Sequence, residues 1–215
     1  MTCPSNWIFI RHSKAPRPAD PSPEADKKRV LSDEGKALAS KSRQSYFIDF
    51  MKKSPKPVAF VSSPATRCLQ TADAILGGKG DFDGEKKDTV TIENTEFRLC
   101  PYIWEGIIEA SDFDGLFQKM GYAPLKEYRK TSESRKIVDN YGSIAIGKIC
   151  ELLPEETETV VVFGHAMGLA AMALQLVGGS CEQLEDLVQG EACGLHIQNG
   201  KFVGQLLADP SQQKN

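Results

Sequence analysis

The stretch Trp7-Ile8-Phe9-Ile10-Arg11-His12-Ser13 constrains this chain more than any other. Four successive apolar residues rich in β-formers read as a strand buried on both faces, the pattern of a parallel sheet covered by helices. The strand runs straight into an arginine and a histidine, at the carboxyl edge where open α/β sheets hold their ligands. Thr159-Val160-Val161-Val162-Phe163 repeats the plan and delivers Gly164-His165. Val58-Ala59-Phe60-Val61 is another such run, and it opens onto Ser62-Ser63-Pro64-Ala65-Thr66-Arg67.

Between these runs the pattern turns helical. Leu31-Ser32-Asp33-Glu34-Gly35 has the form of a helix start, with Ser32 as N-cap and acidic residues in the first turn. That helix is expected to reach about Lys53, burying Phe47, Phe50 and Met51, before Pro55 and Pro57 end it. Ser63 as cap and Pro64 at the first helical position would place Arg67 in the first turn of the next helix, where free N–H groups favour an anion. Further helices are expected over 112–120, 132–153 and 167–177, the second carrying a core stripe of Ile137, Tyr141, Ile144, Ala145, Ile149 and Leu152. Residues 89–92 read as a strand, and Asn199-Gly200 between 194–198 and 201–207 reads as a hairpin turn.

The rest reads as connection. Residues 13–29 carry Pro16, Pro18, Pro21 and Pro23 and form a loop that is either a border of the substrate site or a solvated insert. Residues 77–88 read as a glycine-rich mobile loop and 96–106 as a turn-rich link. The expected fold is therefore α/β: a three-layer sandwich with a central, mostly parallel sheet, helices on both faces and an antiparallel edge. A single domain over 1–215 accommodates it, since a chain of 215 residues buries about 70% of its unfolded surface.

Composition narrows the function. A net charge of −3 argues against a nucleic-acid surface, and no apolar run approaches the ~20 residues that span a bilayer. The amino terminus has neither a basic region nor a long apolar core, so a cytoplasmic location is expected. The six cysteines are scattered with no C-x-x-C pair and read as reduced thiols.

Of the three histidines, two stand at strand ends, in Arg11-His12 and Gly164-His165, and a parallel sheet would bring both to the same edge as Arg67. Zinc fits this set poorly, because arginines repel a cation and no carboxylate or thiol stands at ligand spacing. An anion fits. Arginine forks match phosphate oxygens, and a histidine held neutral on its attacking nitrogen can displace a leaving group from phosphorus. No cofactor and no metal are expected.

These residues carry a family resemblance. Arg11-His12-Ser13 resembles the Arg-His-Gly signature of the histidine phosphatase (phosphoglycerate mutase-like) superfamily, with Ser13 in place of the usual glycine. Leu31-Ser32-Asp33-Glu34-Gly35 is similar to its Leu-Thr-x-x-Gly helix start, Ser62-Ser63-Pro64-x-x-Arg67-Cys68-x-Gln70-Thr71-Ala72 to its Ser-Ser-x-x-x-Arg-x-x-x-Thr block, and Gly164-His165 to its second-histidine motif. The resemblance implies a phosphatase in which His12 forms a phosphohistidine and Arg11 and Arg67 clamp the phosphoryl oxygens. It also implies that His165 stabilises the transferring group and that Ser13 lies at the substrate. The substrate would be a small phosphorylated molecule or a phosphoprotein. Two alternatives are an inactive relative that binds a phosphorylated ligand or partner protein, and a mutase-type phosphotransferase. Many members carry their general acid in a Leu-x-Glu step; here Glu96-Phe97-Arg98-Leu99-Cys100-Pro101 puts no glutamate in that register. Glu105, in a Trp104-Glu105-Gly106 step similar to one near the site in some members, is the first candidate and Glu96 the second.

Overall fold

The computed structural model describes residues 3–20, 22–78, 83–86, 88–103 and 112–212. One sheet of eight strands runs through them: β1 (Asn6–Arg11), β2 (Val58–Ser62), β3 (Asp83–Lys86), β4 (Thr89–Ile92), β5 (Thr95–Leu99), β6 (Thr159–Gly164), β7 (Gly194–Gln198) and β8 (Lys201–Leu206). Their spatial order is β3-β4-β5-β2-β6-β1-β7-β8. The four central strands are parallel, and antiparallel pairs close both edges, where the sequence led us to expect one.

Alternation along the strands divides the core in two. Trp7, Phe9, Val160 and Val162 face one side, covered by α5 (Phe113–Met120), α6 (Leu125–Tyr128), α7 (Ser132–Leu152), α8 (Ala166–Leu176) and α9 (Glu182–Asp186). Ile8, Ile10, Val161 and Phe163 face the other, covered by α2 (Asp33–Ser42), α3 (Ile48–Lys53) and α4 (Thr66–Leu76). This is the three-layer sandwich expected, and the period of two along a strand explains why an all-apolar run was needed to build it. Helices α2 and α3 form one continuous rod through a π-helical turn at Arg43–Phe47, and Ser32 caps it by accepting from the Gly35 amide (3.1 Å). At the hairpin between β7 and β8, Asn199 and Gly200 both take positive φ (50° and 70°), as a tight two-residue turn requires.

Four expectations are corrected. Residues 13–29 contain a short helix, α1 (Pro23–Lys27), whose cap is Ser22. Helix α4 starts at Thr66 rather than Pro64, with Ala65 at the cap position; the Ser63 hydroxyl meets His165 Nε2 (3.1 Å) and accepts from the Ala65 amide (3.3 Å). Residues 77–88 include strand β3, paired with β4. The link placed at 96–106 begins as strand β5, whose Phe97 packs on Phe60 and Phe163 (ring centroids 5.1 and 5.7 Å). Its sequence, Thr-Glu-Phe-Arg-Leu, has only two apolar residues, and the turn before it is built on Glu93 and Asn94 at positive φ rather than on glycine.

Candidate active site

Strands β2, β6 and β1 are neighbours and end side by side. Arg11 is level with Gly164, and Ser62 with Phe163. The ladder continues one bond beyond the strands: the His12 amide donates to the Gly164 carbonyl (2.9 Å) and the Ser63 amide to the Phe163 carbonyl (2.9 Å). His12, Ser63 and His165 thus leave the sheet together, and the two imidazole rings lie with centroids 5.3 Å apart. Arg67, 3% exposed, reaches in from the first turn of α4 and sets Nη2 3.3 Å from Nδ1 of His165. Arg11 is held from outside, donating from Nη1 to the Gln189 carbonyl (2.7 Å) with its guanidinium 4.9 Å from the centre of the Tyr122 ring.

Hydrogen bonds assign the two tautomers. Nδ1 of His12 lies 2.7 Å from the Ser13 carbonyl, which can only accept, so Nδ1 carries the proton and Nε2 keeps its lone pair. In His165 the order is reversed. Arg67 can only donate, so Nδ1 accepts, and Nε2 presents its proton to Ser63 Oγ at 3.1 Å. Both rings are held neutral: burial first, and then the Arg67 charge, push each imidazole well below its ordinary range, with Arg11 and Arg29 adding to the effect.

Arg29 is a residue the sequence reading missed. Its side chain is only 11% exposed, and its charge is felt by both histidines. The Nε atoms of Arg11, Arg29 and Arg67 are all buried without a hydrogen-bond partner. Buried donors are rarely left so in native proteins; Arg29 Nε faces the Asp26 carboxylate, and an oxyanion is a natural acceptor for the other two. Asp26 on α1 is the second residue missed. Its carbonyl accepts from Arg67 Nη1 (2.6 Å), and its carboxylate accepts from Nη2 (2.8 Å) and lies 3.5 Å from Arg29 Nε. The only signal for either was an acid and an arginine three residues apart just ahead of the Leu31-Ser32 helix start.

The structure therefore brings together His12, Arg11, Arg67 and His165. Ser13 adjoins them with its side chain fully buried; its carbonyl orients His12, and its amide donates to Thr71 Oγ1 (3.0 Å). Glu105 lies outside the described residues. Glu96 is not brought to the cluster: it is exposed near the start of β5, away from the carboxyl edge, and pairs with Arg98 at 3.6 Å. Among the described residues, no group of three or more His, Cys, Asp or Glu side chains is placed to hold a metal ion.

A family model described as histidine phosphatase superfamily (branch 1) matches residues 7–209. The chain belongs to the histidine phosphatase superfamily. Solved structures of the same fold include a putative phosphohistidine phosphatase SixA from Agrobacterium tumefaciens (15% identity, 94% of this chain and 98% of that one, TM-score 0.55). A phosphoserine phosphatase mutant from Entamoeba histolytica, in complex with phosphoserine, matches at 15% identity over 95% of this chain and 98% of that one (TM-score 0.53). A mycobacterial glucosyl-3-phosphoglycerate phosphatase matches at 18% identity over 89% of each chain (TM-score 0.52). No curated protein matches the sequence. For this superfamily member the likenesses extend to the fold, and the three named neighbours differ in the substrates their names give.

Proposed function

We propose that this protein is a phosphatase that hydrolyses a phosphomonoester or a phosphoprotein through a phosphohistidine on Nε2 of His12. The observation that carries the reading is the tautomer of His12: its proton is tied to the Ser13 carbonyl, leaving a lone pair at Nε2 inside a cluster of three guanidinium groups. A phosphoryl group bound to Arg11, Arg29 and Arg67 presents phosphorus to that lone pair. The N–P bond forms as the bond to the leaving oxygen breaks. The positive charge gained by the imidazole is shared with the Ser13 carbonyl, while the guanidinium groups balance the phosphoryl oxygens. His165, 5.3 Å away between ring centres, supplies a further N–H as the charge moves, its Nε2–H passing from Ser63 Oγ to the phosphoryl group. Water then takes the phosphoryl group from His12 and frees inorganic phosphate. The arginines provide the positive charge that the transfer requires.

Glu105 is our candidate for the acid that protonates the leaving oxygen, a contribution of ~10²- to 10⁴-fold where the leaving group is poor. Glu105→Gln is then expected to lose far more rate on alkyl than on aryl phosphates; equal losses on both remove Glu105 from that role. Hydrolysis is favoured over mutase transfer because no basic segment stands out to retain a bisphosphate.

The test is acid-sensitive trapping. Labelled substrate, rapid quench and gel separation are expected to leave a label on the protein that is stable to alkali, labile to acid and absent in His12→Ala. Turnover with no label, or a label that survives in His12→Ala, overturns the reading. Phosphopeptide binding with neither turnover nor label favours the phospholigand-binding relative instead.

A further inference from the structure

At the opposite edge of the sheet two thiols meet. The Sγ atoms of Cys3 and Cys150 lie 3.9 Å apart, although the residues are 147 positions apart in sequence. Cys3 precedes β1 and Cys150 lies near the end of α7, whereas His12 follows the far end of β1. The amino-terminal segment is held there by its own bonds. The Pro4 carbonyl accepts from the buried Trp7 Nε1 (2.7 Å), and the Ser5 carbonyl accepts from the Asn199 amide (2.7 Å). Cys3 is exposed and Cys150 partly so, and with Pro4, Leu153, Pro154 and Thr157 they line a cavity of about 110 Å³. That volume admits a molecule the size of a peroxide, since a single water needs only roughly 10–15 Å³ of such accessible space.

We propose that Cys3 and Cys150 are an oxidative modification site, at which a peroxide joins the two thiols into a disulfide that pins the amino-terminal segment to α7. The sulfur atoms need to approach from 3.9 Å to a bonded distance of about 2.05 Å, and Cys3 is the exposed partner of the two. Cys3 is the attacking thiol. It is the more exposed of the two, and the hydrogen bond the pair shares draws the Cys3 thiol below its ordinary range while pushing that of Cys150 up. The thiolate attacks one peroxide oxygen: the S–O bond forms, the O–O bond breaks, and the departing hydroxide takes up a proton, leaving Cys3 as a sulfenic acid. Cys150 then attacks that sulfur. The S–S bond forms, the S–O bond breaks, and the Cys150 proton leaves with the hydroxide as a second water. Two thiols and one hydrogen peroxide become one disulfide and two waters, the sulfurs losing the two electrons that the peroxide gains.

Three of the other four cysteines are poor competitors, and Cys181, partly exposed, is the fourth. Cys68, Cys100 and Cys193 are buried, and burial raises the first two to about 12 and about 11 and the third in the same direction. Because the pair stands at the far edge from the arginine cluster, the bridge is expected to stabilise the fold and leave turnover unchanged.

Titration of the full chain with hydrogen peroxide, followed by non-reducing peptide mapping, tests this. One equivalent is expected to remove two thiols per chain, yield a Cys3–Cys150 linked peptide, and raise Tm by roughly 5–10 °C, reversed by dithiothreitol. Cys3→Ser, an exposed and conservative change, is expected to abolish both the linked peptide and the rise in Tm while folding normally. Cys3 over-oxidised without a bridge, both thiols intact after peroxide, or a bridge that maps to another pair or between chains overturns the proposal.

Discussion

Both arms of the Arg67 guanidinium are engaged by one aspartate, through the Asp26 carbonyl at 2.6 Å and its carboxylate at 2.8 Å. A phosphate that binds Arg67 meets that carboxylate as a like charge at close range. Near a protein surface such a pair costs on the order of 1 kcal/mol or more, so removing one charge is worth roughly a fivefold change in affinity. Asp26→Asn keeps an oxygen that accepts from Nη2 and removes the charge. It is expected to lower both KM and the inhibition constant of inorganic phosphate about fivefold, with kcat nearly unchanged on aryl and alkyl substrates alike. Steady-state kinetics with phosphate as product inhibitor measure this, and a kcat loss confined to alkyl phosphates would instead make Asp26 the proton donor. Arg67→Lys is expected to have the opposite effect on KM. A lysine point charge cannot replace the fork that reaches His165 Nδ1 and the phosphoryl oxygens together, and a rise of at least tenfold is expected.

At the level of elements, legibility followed side-chain pattern. Strands β1, β2 and β6 were readable because strands covered on both faces must be apolar throughout, and their carboxyl ends then located His12 and His165 without further help. Helix α2 was readable from its cap. Strand β5 was not, because only Phe97 of its five residues is fully buried and its turn lacks glycine. Helix α1 was not, because five residues cannot show a period and the prolines around it argue for loop. With it went Asp26 and Arg29, which no strand end or helix start marks. One position ties element to site directly. A Cβ on Gly35 would stand 2.2 Å from the Lys14 carbonyl oxygen, which itself accepts from the Ser32 amide (3.0 Å) at the start of α2. Lys14 follows Ser13, so a side chain here presses on the segment that orients His12. Gly35→Ala is expected to destabilise the protein by about 1–3 kcal/mol in urea unfolding and to lower kcat/KM; unchanged values for both would show that the helix start moves freely away.

Across the whole molecule, folding gathers cationic and titratable groups that an unfolded chain would leave in water. All three histidines are pushed down by burial, His12 and His165 strongly and His196 beside Phe50 to a lesser degree. The folded protein therefore keeps these rings neutral at a pH where the unfolded chain, titrating near 6.5, has begun to bind protons. Above about pH 6.5 both states are neutral at these rings and nothing is lost. As pH falls below that value the unfolded state takes up protons that the folded state refuses, and stability declines by up to ~1.4 kcal/mol per pH unit for each strongly depressed histidine. Between pH 6.5 and 5 this loss precedes the protonation of ordinary carboxylates, which makes the window diagnostic. Urea midpoints taken across it are expected to fall steadily in the wild type. In a His12→Gln, His165→Gln chain that unfolds cooperatively at pH 7.5, most of that slope is expected to vanish, leaving the smaller share from His196. A slope that persists undiminished in the double variant would place its origin in other groups and would mean that the two rings are hydrated enough in the folded protein to accept protons as freely as in the unfolded chain.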